Sequence, residues 1–105
     1  MIPKIIHYCW FGRSDKPNSF YEYLESWKKY LPDYEIKEWN EDNFDISSCK
    51  YVEQAYNAKK YEFVSDYVRV YVLELEGGIY FDTDVEVRKP FDVLLNNHFF
   101  IGYEC

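Results

Sequence analysis

Residues 77–87, GGIYFDTDVEV, carry two carboxylates, Asp82 and Asp84, to the end of an apolar run. Side chains at i and i+2 of a strand point the same way, so both aspartates are expected to face one space beyond the strand's carboxyl end. In open α/β sheets that is where ligands bind. Two like charges so placed call for a divalent cation with hard oxygen ligands, Mn2+ or Mg2+, itself completed by the phosphate oxygens of a ligand. On these residues alone the alternative stands that Asp82 and Asp84 only close a strand in a solvated turn.

A second pair lies just upstream in YEFVSDYVRVYVLELE, where Asp66 and Arg69 are three apart on one helical face. Val64, Tyr67, Val68, Val70, Tyr71, Val72, Leu73 and Leu75 surround nearly the whole circumference, which predicts a helix buried on more than one side. Charges on such a helix are expected to be partly buried, and buried charges are kept when they hold each other, a ligand or a metal. The plainer alternative is an exposed i,i+3 ion pair worth well under about 1 kcal/mol.

The elements that must position these groups follow from a hydrophobic period that switches between two and about 3.6, the mark of an α/β domain. KIIHYCWF (4–11) reads as a first strand. Residues 19–31 place Phe20, Tyr23, Leu24, Trp27, Tyr30 and Leu31 on one stripe of a helix stopped by Pro32. YEIKEW (34–39) is a second strand, and NEDNFDISSCK (40–50) a solvated polar loop. Residues 51–76 read as helix, broken near Asn57 and capped at Gly77. IYFDTD (79–84) is a strand, and beyond Pro90 a helical turn leads to a last strand, FFIGYE. One domain over 1–105 is expected, without linker or repeat.

Composition removes several classes. A net charge of −7 without a basic run excludes nucleic acid as a partner. No segment approaches the roughly 20 apolar residues of a membrane span, and the start lacks signal-peptide features, so a cytoplasmic protein, at most peripheral to a membrane, is expected. Three cysteines without CxxC spacing indicate neither a disulfide framework nor a zinc site. His7 alternates along a strand and reads as structural; no glycine-rich phosphate loop is present.

SDYVRVYVLELEGGIYFDTD closely resembles the sugar-binding signature of the DXD-motif glycosyltransferases of family 32, which include bacterial capsular-polysaccharide transferases and fungal mannosyltransferases. That pattern is Ser-Asp-x-x-Arg, a helical stretch, Gly-Gly-x-Tyr, then Asp-x-Asp; Ser65, Asp66, Arg69, Gly77, Gly78, Tyr80, Asp82 and Asp84 fill it. IPKIIHYCWFG also looks like the family's opening strand. The resemblance implies a GT-A type, Rossmann-like nucleotide-sugar-binding domain, here its N-terminal portion, since family members run to about twice this length or more. It further implies that Asp84 ligates the metal, that Asp82 reaches the ribose and the metal, and that Asp66 and Arg69 hold the donor sugar as the catalytic pair. Trp10 would stack on the nucleotide base, although its type and place alone equally suit a core aromatic; Ser65 and Tyr80 would add donor contacts. The implied function is transfer of a hexose from a UDP- or GDP-hexose to a saccharide acceptor with retention, in capsular or other surface polysaccharide synthesis. The alternative is a non-catalytic module that binds a nucleotide sugar or a metal, or acts through a partner. An unfinished sheet edge would favour self-association.

Overall fold

The computed structural model describes residues 3–88. Three strands, β1 (Ile5–Cys9), β2 (Glu35–Trp39) and β3 (Ile79–Tyr80), form a parallel sheet in the order β2-β1-β3. Helix α1 (Asn18–Tyr30) connects β1 to β2. A 3₁₀ turn (Ile46–Ser48), α2 (Lys50–Asn57) and α3 (Tyr61–Glu76) connect β2 to β3. Parallel neighbours require such crossovers, and these bury both faces of the sheet.

The period of two along β1 decides which side chain goes where. Ile6 and Tyr8 point to one face and join Phe20 and Trp27 of α1, and Leu31 just past its end, with Ile79 and Phe81. Cys9 points to the other face and joins Val52 and Ala55 of α2 with Val64, Val68 and Val72 of α3. β1 is therefore the central strand of an α/β/α arrangement, within the α/β class that the sequence pattern predicts. The break near Asn57 is also present, with Lys59 at positive φ between the two helices. No helix among the described residues is long and apolar enough to cross a membrane. The expected last strand lies outside the described residues.

Three expectations are corrected. First, α3 is buried on one side only: Val64, Val68 and Val72, spaced by four, are fully enclosed, whereas Tyr67, Tyr71 and Leu75 are 36%, 42% and 61% exposed. The tyrosines edge against Phe44 at 6.3 and 5.6 Å between ring centroids and keep water on their other side, a compromise that a phenol tolerates and an aliphatic side chain does not.

Second, β3 does not extend to Asp84. Phe81 N–H still donates to the His7 carbonyl (3.0 Å), after which Val85 N–H donates back to the Asp82 carbonyl (3.2 Å). Residues 82–85 thus form a turn, in keeping with the poor fit of aspartate to a pleated surface.

Third, the loop after β2 is exposed over much of its length, as expected, but it is also anchored at two points. Phe44 is 6% exposed, and the Glu41 carboxylate accepts from Gly12 N–H at 2.6 Å and from the Tyr56 hydroxyl at 2.9 Å.

Two tethers set where the chain enters and leaves the site. His7, fully buried, donates from Nε2 to the Gly77 carbonyl (2.7 Å) and accepts at Nδ1 from Trp39 Nε1 (3.0 Å), joining the ends of α3 and β2 through β1. Burial holds the imidazole below its usual pKa, against the opposing pull of the Gly77 carbonyl, so it is neutral. At Gly78, with φ +95°, a Cβ would come within 2.6 Å of the Ile5 carbonyl oxygen. Only glycine lets β3 start this close to β1.

Candidate functional site

A cleft of about 530 Å³ opens at the carboxyl end of the sheet. Its floor comes from the residues that leave β1 and β3, its wall from the first two turns of α3, and its far rim from the 82–85 turn. Trp10, Ser65, Asp66, Arg69, Tyr80, Asp82 and Asp84 all line it, so every site residue expected from the sequence is gathered in one place. Cys9, Phe11, Ser14, Tyr61, Glu62 and Thr83 complete the lining. Tyr61 was missed, although it precedes Ser65 and Arg69 by one and two turns of the same helix face.

The floor is a neutral polar pair beneath one cation. Burial drives the Tyr80 phenol well above its usual range and pushes the Cys9 thiol up to about 12. Both stay protonated, side by side with Ser65 in the lining of the cleft. The Arg69 guanidinium carbon lies 5.9 Å from the Tyr80 ring centroid, a cation–π distance. Arg69 is four-fifths buried and reaches Asp66 at only 3.8 Å, a loose pairing with a carboxylate that is 59% exposed. Its Nε is buried without a hydrogen-bond partner among the described residues. A buried donor left open in this way is costly unless something else fills the cleft.

The rim is acidic. Burial, and after it the neighbouring charge of Asp84, push the Asp82 carboxyl above the usual carboxylate range, with Arg69 pulling the other way. By surface area Asp82 counts as exposed. The two observations fit a side chain whose outer edge meets water while its carboxyl is partly shielded, so the direction of the shift stands. With Glu62, Asp66, Asp82 and Asp84 facing a single Arg69, the cleft repels anions. Among the described residues no three His, Cys, Asp or Glu side chains converge as a ready-made metal site. Asp82 and Asp84 nevertheless fit a hard divalent cation that takes its remaining ligands from phosphate and water.

The turn that presents these aspartates is held from α1. Trp27 Nε1 donates to the Val85 carbonyl at 2.7 Å, and Trp27 also meets the Phe81 ring at 5.2 Å. Ser26 Oγ accepts from Val87 N–H at 3.0 Å. At the opposite end, Trp10 donates from Nε1 to the Ser14 carbonyl (2.8 Å) and is only partly buried. It is a rim residue, not part of the core.

An α/β scaffold with an Asp-x-Asp turn at the strand ends agrees with the comparisons to known proteins. Residues 17–100 match the glycosyltransferase sugar-binding region containing the DXD motif, and the chain belongs to that family. It is 32% identical, over 99% of its length, to an uncharacterised glycosyltransferase of Acanthamoeba polyphaga mimivirus. It is 31% identical, over 90% of its length, to an inositol phosphoceramide mannosyltransferase of Schizosaccharomyces pombe. The chain spans 44% and 28% of those two relatives, less than half of either.

Proposed function

We propose that this domain, of GT-A type and continuous over residues 1–105, holds the donor of a glycosyltransferase, a UDP- or GDP-hexose, and serves hexosyl transfer to a saccharide acceptor. The observation that carries the reading is the buried Arg69 Nε, unpartnered among the described residues, in a cleft whose opposite rim is the Asp82–Asp84 turn. Such a cleft offers donors to a sugar hydroxyl or phosphate oxygen on one side and carboxylates to a cation on the other.

In this reading Asp82 and Asp84 hold Mn2+ or Mg2+. When bound, that ion neutralises the diphosphate as it departs and makes an acidic cleft tolerable to an anion. Asp66, exposed and only loosely paired, accepts from donor-sugar hydroxyls. Arg69 completes its hydrogen bonds on the sugar or on a phosphate oxygen and places positive charge where the leaving group gains negative charge. Tyr80 and Ser65 support Arg69 from below, and Trp10 gives the base a ring to stack on. Retention of the anomeric configuration and a role in capsular or other surface polysaccharide synthesis are taken from the family resemblance.

The test is binding of UDP- and GDP-hexoses by calorimetry, with manganese and with excess chelator, together with detection of released nucleoside diphosphate in the presence of saccharide acceptors. Metal-dependent binding followed by release supports the transferase. Binding without any release would favour a non-catalytic donor-binding module, and no binding of either donor would remove the reading.

A further inference from the structure

Glu41 lies outside the cleft, in a loop whose sequence suggests only solvation, yet its side chain is 10% exposed and satisfied from three directions. Gly12 N–H donates to its Oε2 at 2.6 Å, the Tyr56 hydroxyl donates to the same oxygen at 2.9 Å, and Arg13 Nε stands 3.6 Å from Oε1. These contacts hold the carboxyl below its usual range despite burial, which acts the other way. A carboxylate held by charge-assisted bonds on several sides fixes the groups that donate to it.

What it orders is the chain segment that carries Trp10. Trp10 N–H donates to the Trp39 carbonyl at 2.9 Å, the Phe11 side chain is buried, and the Gly12 amide is taken by Glu41. Two acceptors two residues apart on the strand β2 exit therefore grip the chain on both sides of Phe11. The grip also reaches the cleft wall. Gly12, at φ +105°, sits against Tyr61, where a Cβ would fall 2.7 Å from the ring, and Tyr56 meets Tyr61 ring to ring at 5.4 Å. Glu41, Gly12, Tyr61 and Tyr56 close a circuit around the Trp10 end of the cleft.

The geometry points to Glu41 as a positioning residue for the nucleoside end of the donor site, acting through the Gly12 amide to fix the distance between Trp10 and the start of α3. This rests on the donor-binding reading above. It goes beyond that reading by assigning the affinity for the nucleoside half to a residue that touches no ligand.

The experiment compares wild type, Glu41→Gln, Glu41→Ala and Tyr56→Phe by amide hydrogen exchange of residues 10–14 and by calorimetry of UDP and GDP, and of their hexose conjugates, with manganese. Glutamine keeps an oxygen for the Gly12 amide, so Glu41→Gln should stay within about threefold of wild type in both assays. Glu41→Ala should exchange about tenfold faster at Gly12 and bind about tenfold more weakly, the scale of one lost bond to a charged acceptor. That loss should be equal for the free diphosphate and its sugar conjugate, since the sugar lies at the other end. Tyr56→Phe, which keeps the Gly12 bond and the fold, should fall between. A merely structural role would lower the unfolding midpoint without this ligand pattern, and Glu41→Ala with unchanged exchange or unchanged diphosphate affinity overturns the assignment. If wild type binds neither diphosphate, the donor-binding reading fails and the assignment falls with it. If wild type binds both and only the alanine variant's exchange changes, the donor-binding reading survives and Glu41's role in affinity does not.

Discussion

Trp27→Phe should release the Asp82–Asp84 turn from α1. The indole is fully buried, and phenylalanine in its place removes two ring carbons and the N–H that the Val85 carbonyl accepts at 2.7 Å. The carbons account for about 1.6 kcal/mol at about 0.8 kcal/mol per buried carbon. The stranded carbonyl adds roughly 1–3 kcal/mol. A total of roughly 3–5 kcal/mol is a large share of the roughly 5–15 kcal/mol by which a domain of this size is stable. It should lower the melting temperature by on the order of 10–20 °C. The loss should also be local in origin: amides of residues 81–87 should exchange through a new, low-energy opening while those of α3 still require global unfolding. Val68→Ala, which thins the core on the opposite face of the sheet, serves as the control and should not open the turn. A Trp27→Phe protein within about 1 kcal/mol of wild type, or with unaltered exchange at 81–87, would refute the idea that α1 holds the turn.

Three further outcomes are expected. Arg69→Ala should weaken a nucleotide sugar more than the free nucleoside diphosphate by calorimetry, because only the former offers sugar hydroxyls to the Asp66–Arg69 pair; equal losses would place Arg69 on the diphosphate alone, and no loss for either would make the pair structural. Asp84→Asn should abolish manganese-dependent donor binding yet raise the metal-free melting temperature, because Asp84's charge is, after burial, the largest influence that disfavours ionised Asp82; a less stable variant with intact metal dependence would make Asp84 structural. His7 is held neutral with its folded pKa below the ordinary 6.5. The unfolded chain therefore takes up the proton first, and stability, fully present above about pH 6.5, should fall as pH drops from there toward the folded pKa. His7→Gln should be less stable at pH 7.5 but show a shallower slope between about pH 5 and 6.5 in denaturant melts, a window above the ordinary carboxylate range.

The sequence was most informative where a local period or a short spacing sets the outcome. Phe20 and Trp27 recur at the interval that buries one stripe of α1, and the apolar period stops near Asn57, where the chain does break. The site residues also come together as their spacing implies, because Ser65 and Arg69 share a helix face and Asp82 follows a strand. What escaped notice depends on distant partners or on side chains with two characters. The Glu41 bonds join residues 29 and 15 positions apart, and no local pattern announces them. Counting Tyr67 and Tyr71 as apolar made α3 look buried all round, whereas a ring that packs by one edge and keeps its hydroxyl in water marks a boundary. The strand read through Asp84 failed because alternation was followed past the point where β1 stops offering hydrogen-bond partners.

The bond from His7 to the Gly77 carbonyl spans 70 residues. Nearly the whole described chain must therefore be looped back before β3 can join β1, and the entropy of that closure is met only once the sheet is complete. Trp10 and Asp84 lie at the two ends of the same loop, so the cleft cannot preform in a partly folded intermediate. Occupancy of the site and integrity of the fold are then two readings of one equilibrium. A ligand at 100 times its dissociation constant should add about 2.7 kcal/mol to the unfolding free energy of the domain. A protease that cuts only the opened chain should consequently report donor occupancy as faithfully as any direct measurement of binding.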